Sequence, residues 1–375
     1  MRILYVSTIS NTINAFMIPH IKMLFEQGHH VDIACNIQRE IDKGLVELGC
    51  RVHDISFSRS PLNKTNVKAY RDLKNLIIDQ KYDLVHTHTP VASAITRLVC
   101  KNIKGTKVFY TAHGFHFHKR APIKNWLIYY TLEKWLAKHT DTLITINKED
   151  YERAKSKFKA KRVEYIPGVG LDIDKFTNVV VDKAGKRQEL GLPEDAFVIL
   201  SVGELNKNKN HEVVIRAIAK LNNPNIHYVI CGKGSLESYL KRLALELGIH
   251  EKVHLLGYRT DVVQIYKVSD LFIFPSQREG LPVSLMEAMA SGLPVICSDI
   301  RGNSDLIDNK VEGYLVSYDD DKKIADYINI YIENNQLKKQ FVKNNYEKIL
   351  RFSIENVLLS LKKIYIDKTV RNEAK

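Results

Sequence analysis

Short apolar, β-branched runs alternate with stretches of helical periodicity along almost the whole chain. This alternation is typical of βαβ units wound into a parallel sheet. In the first half it predicts strands at 3–8, 31–35, 84–88, 108–113, 143–146 and 163–166, and helices that include 15–27, 67–80 and 125–138.

The second half repeats the scheme, with predicted strands at 198–202, 228–231, 253–255, 271–274 and 295–297 and helices that include 212–221, 236–247, 283–290 and 324–333. Periodicity is lost at 177–194, which predicts one domain over 1–178 and another over 179–353. The segment 354–375 is predicted as a C-terminal helix, with its amphipathic pattern at 354–366, that can pack back on the first domain. The predicted fold class is α/β, with two Rossmann-like, doubly wound parallel-sheet domains that bind ligands in the cleft between them.

Length and composition agree with two soluble domains. The chain has 375 residues, of which 45% are hydrophobic and 26% charged, and it contains no apolar run of the roughly 18–20 residues that span a bilayer. The N-terminus begins directly with a strand pattern, so we expect no signal peptide. The five cysteines form no C-x-x-C pair, which favours reduced thiols in a cytoplasmic protein.

The positive charge is concentrated in the first half. Residues 1–170 hold 27 Lys and Arg against 15 Asp and Glu, whereas the rest of the chain is nearly neutral. An anionic partner for the first domain would explain this, although a generally basic proteome is an alternative. No nucleic-acid-binding signature is present, so we expect no nucleic-acid partner.

Two basic clusters favour docking on the inner face of the cell membrane. The first comprises Lys64, Lys68, Arg71 and Lys74, and the second comprises Lys119, Arg120 and Lys124 beside Phe115, Phe117, Trp126 and Leu127. A basic rim with aromatic residues suits an interface of anionic lipids. The alternative is a solvated helix face.

The most informative segment lies at 274–295. A strand ends, a loop carries Arg278-Glu279-Gly280, and a helix begins near Pro282. The free amides of that first helical turn can bind a phosphate. Glu287 is a lone carboxylate in an apolar helix and needs a partner, either the hydroxyls of a bound sugar or ribose, or a cation on a neighbouring helix.

Glu279-x7-Glu287, followed by Ala-Met-Ala-Ser-Gly-Leu-Pro-Val at 288–295, resembles the E-x7-E motif of the retaining glycosyltransferases of family 4. The resemblance extends over essentially the whole chain and is typical of bacterial capsular and exopolysaccharide enzymes. It implies the GT-B fold, a nucleotide-sugar donor in the second domain, and no cofactor or metal. It also implies that Glu279 orients the sugar hydroxyls and Glu287 the ribose.

The resemblance also assigns donor contacts. Lys209 matches a family lysine on the donor diphosphate, while Glu204 stands where the family has an arginine, so Lys207 becomes a candidate for the missing charge. A solvated basic turn is the alternative for Lys209. Tyr258 and Arg259 match the nucleobase side, and the remaining expected donor-binding residues are Gly203, Gly232, Gly280, Leu281, Val283 and Ser284.

The first domain is expected to hold a glycan or polyprenyl-linked acceptor. Histidines follow two of its strands, at 86 and 88 and at 113, 116 and 118. The resemblance places His113 beside the transferring sugar, and His86 and His88 are interpreted as shaping the strand end. A zinc site on His113, His116 and His118 is an alternative, although its spacing is unusual for zinc ligands.

Asp319-Asp320-Asp321 precedes a helical stretch and is interpreted as a helix cap and not as a D-x-D metal motif. The function predicted is a retaining transfer of sugar from a nucleotide-diphosphate sugar, with His113, Glu279 and Lys209 as catalytic residues. Two alternatives stay open: a sugar-nucleotide epimerase on the same fold, and a non-catalytic nucleotide-sugar or membrane-binding protein.

Overall fold

A computed structural model describes residues 1–366 of the chain as two compact α/β units. The first unit combines Met1–Gly170 with the segment that begins at Ile354, and the second comprises Leu171–Ser353. Each unit is built on one parallel sheet. The predicted fold class is therefore confirmed.

The first sheet has seven parallel strands in the order β3-β2-β1-β4-β5-β6-β7. Its interior strand β1, paired with β2 and β4, carries Ile3, Leu4, Tyr5 and Val6, all fully buried, as expected of a parallel strand covered on both faces. The strands are β1 (Arg2–Ile9), β2 (His30–Asn36), β3 (Val52–Asp54), β4 (Leu84–His88), β5 (Lys107–Ala112), β6 (Thr142–Thr145) and β7 (Arg162–Tyr165).

Helices connect these strands as βαβ crossovers. They are α1 (Ser10–Thr12), α2 (Ile18–Glu26), α3 (Lys43–Glu47), α4 (Thr65–Gln80), α5 (Pro90–Cys100), α6 (Ile123–Asn125), α7 (Thr131–Leu136) and α8 (Lys148–Lys157). Two π-helical turns, Ile13–Met17 and Trp126–Tyr130, lead into α2 and α7.

The second sheet has six parallel strands in the order β10-β9-β8-β11-β12-β13. They are β8 (Phe197–Val202), β9 (Ile226–Cys231), β10 (Val253–Gly257), β11 (Leu271–Phe274), β12 (Val295–Ser298) and β13 (Tyr314–Val316). The helices of this unit are α9 (Asp174–Thr177), α10 (Lys183–Glu189), α11 (His211–Leu221), α12 (Glu237–Glu246), α13 (Val262–Val268), α14 (Val283–Ala290), α15 (Asn303–Leu306), α16 (Asp321–Glu333) and α17 (Asn335–Ile349).

The division between the units lies at Gly170 and Leu171, eight residues before the end predicted at 178. The segment after Leu171 packs within the second unit, since the Phe176 ring lies 6.2 Å from the Tyr266 ring and Lys267 donates to the Thr177 carbonyl oxygen. The boundary predicted from the loss of periodicity is therefore too late along the sequence.

The final helix, α18 (Ile354–Ile366), belongs to the first unit and contacts α2. Its buried Tyr365 hydroxyl lies 3.0 Å from the Tyr5 hydroxyl and 2.5 Å from His86 Nδ1. Residues 367–375 of the predicted C-terminal segment lie outside the described residues. Among residues 1–366, no helix is both long and apolar enough to span a membrane.

The strand orders place two candidate sites. The order reverses between β1 and β4 in the first sheet and between β8 and β11 in the second. Ligands of doubly wound sheets bind at such switch points, beyond the carboxyl ends of the strands. The loops that follow these four strands are therefore where chemistry is expected.

Candidate functional site

A lysine–glutamate pair occupies the switch point of the second sheet. Lys209 lies on the loop after β8 and Glu279 on the loop after β11, and Lys209 Nζ is 2.7 Å from Glu279 Oε1. Their side chains are only 20% and 15% exposed, and Nζ lies 4.6 Å from the centre of the Phe274 ring. The structure thus brings together two of the three predicted catalytic residues.

Glycines let the strand-end loops come this close. A Cβ at Gly203 would lie 3.0 Å from Lys209 Cδ, so the lysine stem crosses directly over this residue. A Cβ at Gly232 would overlap the Gly203 carbonyl oxygen. The two predicted glycines therefore allow the loops after β8 and β9 to pack against each other under Lys209.

Asparagines fasten the loop after β8 to the loop after β11. Asn208 donates through Nδ2 to the Arg278 carbonyl oxygen at 3.0 Å and accepts from the Gln277 amide at 2.8 Å through its own carbonyl. Asn210 adopts a left-handed conformation with φ 54° and donates to the Pro275 carbonyl oxygen after β11 at 3.4 Å and to the Tyr318 carbonyl oxygen after β13 at 2.6 Å. These bonds fix Lys209 and Glu279 relative to one another.

Glu287 lies on α14, which begins directly after the Glu279 loop. It accepts a hydrogen bond from the Tyr266 hydroxyl on α13 at 3.0 Å, and burial raises its pKa to about 7, although this hydrogen bond and Lys175 oppose the shift. The carboxyl is therefore held by a tyrosine. The start of α14 presents the amides of Val283 and Ser284, which is the arrangement that binds phosphate.

The raised pKa of Glu287 predicts a pH-dependent contribution to stability. A carboxyl whose folded pKa exceeds its unfolded value stabilises the fold below the unfolded pKa, and this contribution is lost as the pH rises through about 7. We therefore expect Glu287→Gln to gain stability relative to wild type between pH 5 and pH 8, by at most about 1.4 kcal/mol per pH unit. Thermal unfolding across this range measures the difference, and a constant or opposite trend would contradict it.

The loop after β12 supports the Glu279 loop and was not singled out from the sequence. Arg301 Nε donates to the Glu279 carbonyl oxygen at 3.2 Å, and a Cβ at Gly302, which has φ 85°, would overlap the Gly280 carbonyl oxygen. Ser298 donates to the Ser276 carbonyl oxygen at 2.5 Å. The only available signal was a glycine shortly after a predicted strand, which is common in turns.

Gly302 offers a test of this support, because Gly248 has a similar φ of 70° but open space around its Cβ position. We expect the left-handed backbone conformation to lower the free energy of unfolding by a similar amount in Gly302→Ala and Gly248→Ala, about 1 kcal/mol. Turnover should fall several-fold only in Gly302→Ala, because only there is Gly280 displaced. Equal turnover in the two variants would show that Gly302 does not position the loop.

The remaining predicted donor residues also follow strands of the second sheet, but they differ in exposure and in bonding partners. Arg259 donates to both carboxylate oxygens of Asp261 and to Glu189 at 2.8 Å, and these bonds raise its pKa. Its guanidinium is thus anchored in an ion network. Tyr258 is 69% exposed, and Lys207 and Glu204 are also exposed, while Leu281 is buried.

His113 follows β5 in the first unit, next to the switch point between β1 and β4. Its Nε2 lies 3.1 Å from Nδ1 of His88, which ends β4. Burial, and to a smaller extent His20, lower the pKa of His113 to about 4. This neutral imidazole is at the position where the sequence predicted the acceptor side.

The other residues considered as metal ligands make contacts within the fold. Asp320 caps α16 by accepting from the Lys323 amide at 2.9 Å, and Asp321 pairs with Lys220, which confirms the helix-cap interpretation. The His116 ring lies against Tyr129 at 4.9 Å. Within the described 1–366, no group of three or more His, Cys, Asp or Glu residues is arranged to hold a metal ion.

The prediction that Phe115 and Phe117 lie at the surface beside the second basic cluster is wrong. Phe115 and Phe117 are buried, because their rings stack at 4.8 Å and pack against Phe158. The helical segment from α6 to α7 instead exposes an apolar stripe at helical spacing. Its members, with exposed fractions from 78% down to 39%, are Ile123, Leu127, Ile128, Leu132 and Trp135.

Two family models match the chain, one for each half. Residues 2–147 match the glycosyl transferase 4-like family, and residues 182–348 match the glycosyl transferases group 1. The matched ranges contain His113 in the first case and Lys209, Glu279 and Glu287 in the second.

Individual relatives extend over nearly the whole chain. The glycosyltransferase EpsD of Bacillus subtilis (strain 168) is 35% identical over 97% of this chain and 96% of its own. The UDP-Gal:alpha-D-GlcNAc-diphosphoundecaprenol alpha-1,3-galactosyltransferase of Escherichia coli is 33% identical over 81% of this chain and 82% of its own.

Solved structures share the fold. Anabaena Alr3699/HepE, in complex with UDP and glucose, superimposes with a TM-score of 0.81 at 19% identity over 98% of this chain and 100% of its own. Sucrose-phosphate synthase from Thermosynechococcus elongatus gives 0.82 at 19% identity over 99% and 100%. The GT-B fold implied by the sequence resemblance is confirmed.

Proposed function

The chain belongs to the group 1 glycosyltransferases of family 4, and we propose that it transfers a sugar from a nucleotide-diphosphate sugar to a polyprenyl-linked glycan in cell-surface polysaccharide synthesis. UDP-sugars are the donors to test first. The observation that carries this proposal is the Lys209–Glu279 pair at the switch point of the second sheet, beside the amides that begin α14. Relatives named for transfer to diphosphoundecaprenol-linked sugars support the acceptor class.

The donor site acts by stabilising the charge of the leaving group. As the bond from the anomeric carbon to the diphosphate breaks, negative charge grows on the departing phosphate oxygen, and Lys209 and the amides of Val283 and Ser284 stabilise it. Glu279 accepts hydrogen bonds from sugar hydroxyls, and Glu287 accepts from the ribose. The acceptor hydroxyl forms the new bond to the anomeric carbon and gives its proton to the departing phosphate.

Retention of the anomeric configuration follows from attack on the face that the diphosphate leaves. Because the phosphate itself can take the acceptor proton, this step needs no carboxylate nucleophile and no metal ion. We assign His113 the role that the family resemblance gives it, a hydrogen-bonding partner of the transferred sugar. Gly203 and Gly232 support Lys209, and Tyr258, Arg259, Gly280 and Leu281 complete the donor contacts that we propose.

A peripheral membrane position suits a lipid-linked acceptor. The apolar stripe on α6–α7 lies on a firmly anchored segment, since Glu133 of α7 forms a 2.8 Å ion pair with the buried Arg97 of α5. The α5 helix contacts both α4 and α7, so α4, which carries the exposed Lys68, Arg71 and Lys74, packs against the same helix as the stripe, and Lys124 lies on α6 itself. Apolar side chains rimmed by cations favour an anionic bilayer surface.

Leu127→Glu tests this docking surface, with Leu245→Glu on α12 as a matched control. The two leucines are 70% and 61% exposed. We expect Leu127→Glu to weaken binding to vesicles containing phosphatidylglycerol about tenfold, because it removes an inserted apolar side chain and adds a repelled charge. Co-sedimentation measures the bound fraction. Equal binding of wild type to neutral and anionic vesicles, or an unchanged Leu127→Glu, would refute the membrane role.

Products distinguish this function from its two alternatives. The purified protein is incubated with each sugar nucleotide in EDTA, with and without a polyprenyl-diphosphate-linked sugar, and the products are identified by mass spectrometry and chromatography. A transferase releases nucleoside diphosphate and glycosylates the lipid only when the acceptor is present. An epimerase isomerises the sugar nucleotide without acceptor, and a binding protein shows a thermal shift without any product.

A further inference from the structure

A histidine pair, buried at His88 and half-buried at His113, joins the ends of two neighbouring strands in the first unit. His88 ends β4 and His113 follows β5, and His88 Nδ1 lies 3.1 Å from His113 Nε2. Burial lowers the pKa of both imidazoles, with added repulsion from neighbouring histidines. Both rings are therefore neutral near pH 7, so one of the two facing nitrogens carries a hydrogen and the other accepts it.

The surroundings of His88 decide which nitrogen donates. His88 Nε2 is buried and has no hydrogen-bond partner within residues 1–366. If His113 donated, His88 would carry its proton on this Nε2 and leave a buried N–H unpaired. If His88 donates, only a lone pair is left unpaired, and among buried backbone groups an unpaired N–H is rarer than an unsatisfied acceptor.

The His88 ring is held in place by its neighbours. It lies 5.3 Å from the Tyr5 ring and 4.3 Å from the His86 ring. His86 is itself fixed, because its Nε2 lies 2.8 Å from Thr111 Oγ1 and its Nδ1 2.5 Å from the Tyr365 hydroxyl. The imidazole of His88 therefore faces His113 in a fixed orientation.

The backbone after His88 is strained. Thr89, a β-branched residue, has φ 66°, a conformation that such residues rarely adopt and that clusters at functional sites. Its Oγ1 accepts from the Thr8 amide at 3.0 Å and contacts Thr8 Oγ1 at 2.7 Å. These bonds join the ends of β1 and β4 at the switch point and fix the turn beside His88.

We propose that His88 is a positioning residue: it donates Nδ1–H to His113 Nε2 and so holds His113 in the tautomer whose proton is on Nδ1. His113 then offers Nδ1–H as a donor to a ligand oxygen. That a sugar hydroxyl receives this hydrogen bond rests on the proposed function. The tautomer itself is a property of the protein without substrate.

Nitrogen-15 NMR of histidine-labelled protein reads the tautomer directly, and the spectrum of His113→Gln identifies the His113 signals by their loss. In wild type we expect the proton on His113 Nδ1. His88→Phe keeps a ring against Tyr5 and His86 but removes the donor, so His113 should populate both tautomers. His88→Asn keeps an amide N–H near His113 Nε2 and should restore the Nδ1–H form.

Turnover provides the second readout. We expect His88→Phe to lower it about tenfold, the loss of one hydrogen bond in the transition state, and His88→Asn to recover most of it. A wild-type proton on His113 Nε2, or an unchanged His113 tautomer in His88→Phe, would overturn the proposal. If no sugar nucleotide is turned over although the tautomers are as expected, the proposed function fails and the role of His88 stands.

Discussion

We expect Glu279→Gln to lower turnover by more than tenfold while the folded structure and its thermal midpoint change little. The amide keeps the shape of the side chain but loses the negative charge that accepts hydrogen bonds from the sugar hydroxyls and pairs with Lys209 at 2.7 Å. Hydrogen bonds to a charged acceptor are about twice as strong as neutral ones. Steady-state rates with the accepted sugar nucleotide measure the effect.

Glu237→Gln is the matched control. Glu237 forms a Lys–Glu pair of the same 2.7 Å length with Lys241, but on the exposed face of α12. This variant should retain wild-type turnover, because an exposed ion pair contributes little and neither Glu237 nor Lys241 is among the predicted donor contacts. Wild-type turnover in Glu279→Gln would remove Glu279 from the site.

Lys209→Ala should weaken the binding of a nucleoside diphosphate by about 1–3 kcal/mol, the range for a lost charge-assisted hydrogen bond. Glu279 would also lose its cation, so the variant leaves a half-buried carboxylate near the phosphate. Calorimetry with UDP and GDP measures the affinity, and Lys241→Ala controls for the loss of one surface charge.

A double variant separates the two effects of removing Lys209. In a Glu279→Gln background there is no carboxylate to repel the phosphate, so Lys209→Ala reports only the lost attraction. We expect a smaller but still clear loss of affinity in this background. Unchanged UDP and GDP affinity in Lys209→Ala would show that Lys209 does not contact the diphosphate.

The sequence predicted the interior of the fold better than its edges and boundaries. The strands at 84–88 and 271–274 and the helices at 283–290 and 354–366 match the structure, because apolar periodicity marks buried elements. The edge strands β3 and β13 have only three residues each and were missed. The α10 helix was also missed, and it lies within 177–194, where the periodicity is lost. Its apolar pattern is absent because charged Lys186 and Arg187 occupy its buried positions, where they bond to acidic side chains and backbone carbonyls.

In the candidate site, the sequence gives the residue types but not their partners. Lys209 and Glu279 are 70 residues apart, and only the strand order β8-β11 brings their loops together. Tyr266 as the partner of Glu287, and Gly302 against Gly280, depend on packing between elements with no shared sequence signal. Phe115 and Phe117 show the converse error, since aromatic residues beside cations were assigned to the surface although they pack in the core.

The most direct test of the central claim is one transfer reaction in which released nucleoside diphosphate and glycosylated lipid are both quantified and the product's anomeric configuration is determined by NMR. The account predicts equal amounts of the two products from wild type, a new linkage with the configuration that the sugar had in the donor, and a loss of both products in Glu279→Gln. Inverted configuration, or diphosphate release without glycosylated lipid, would contradict it.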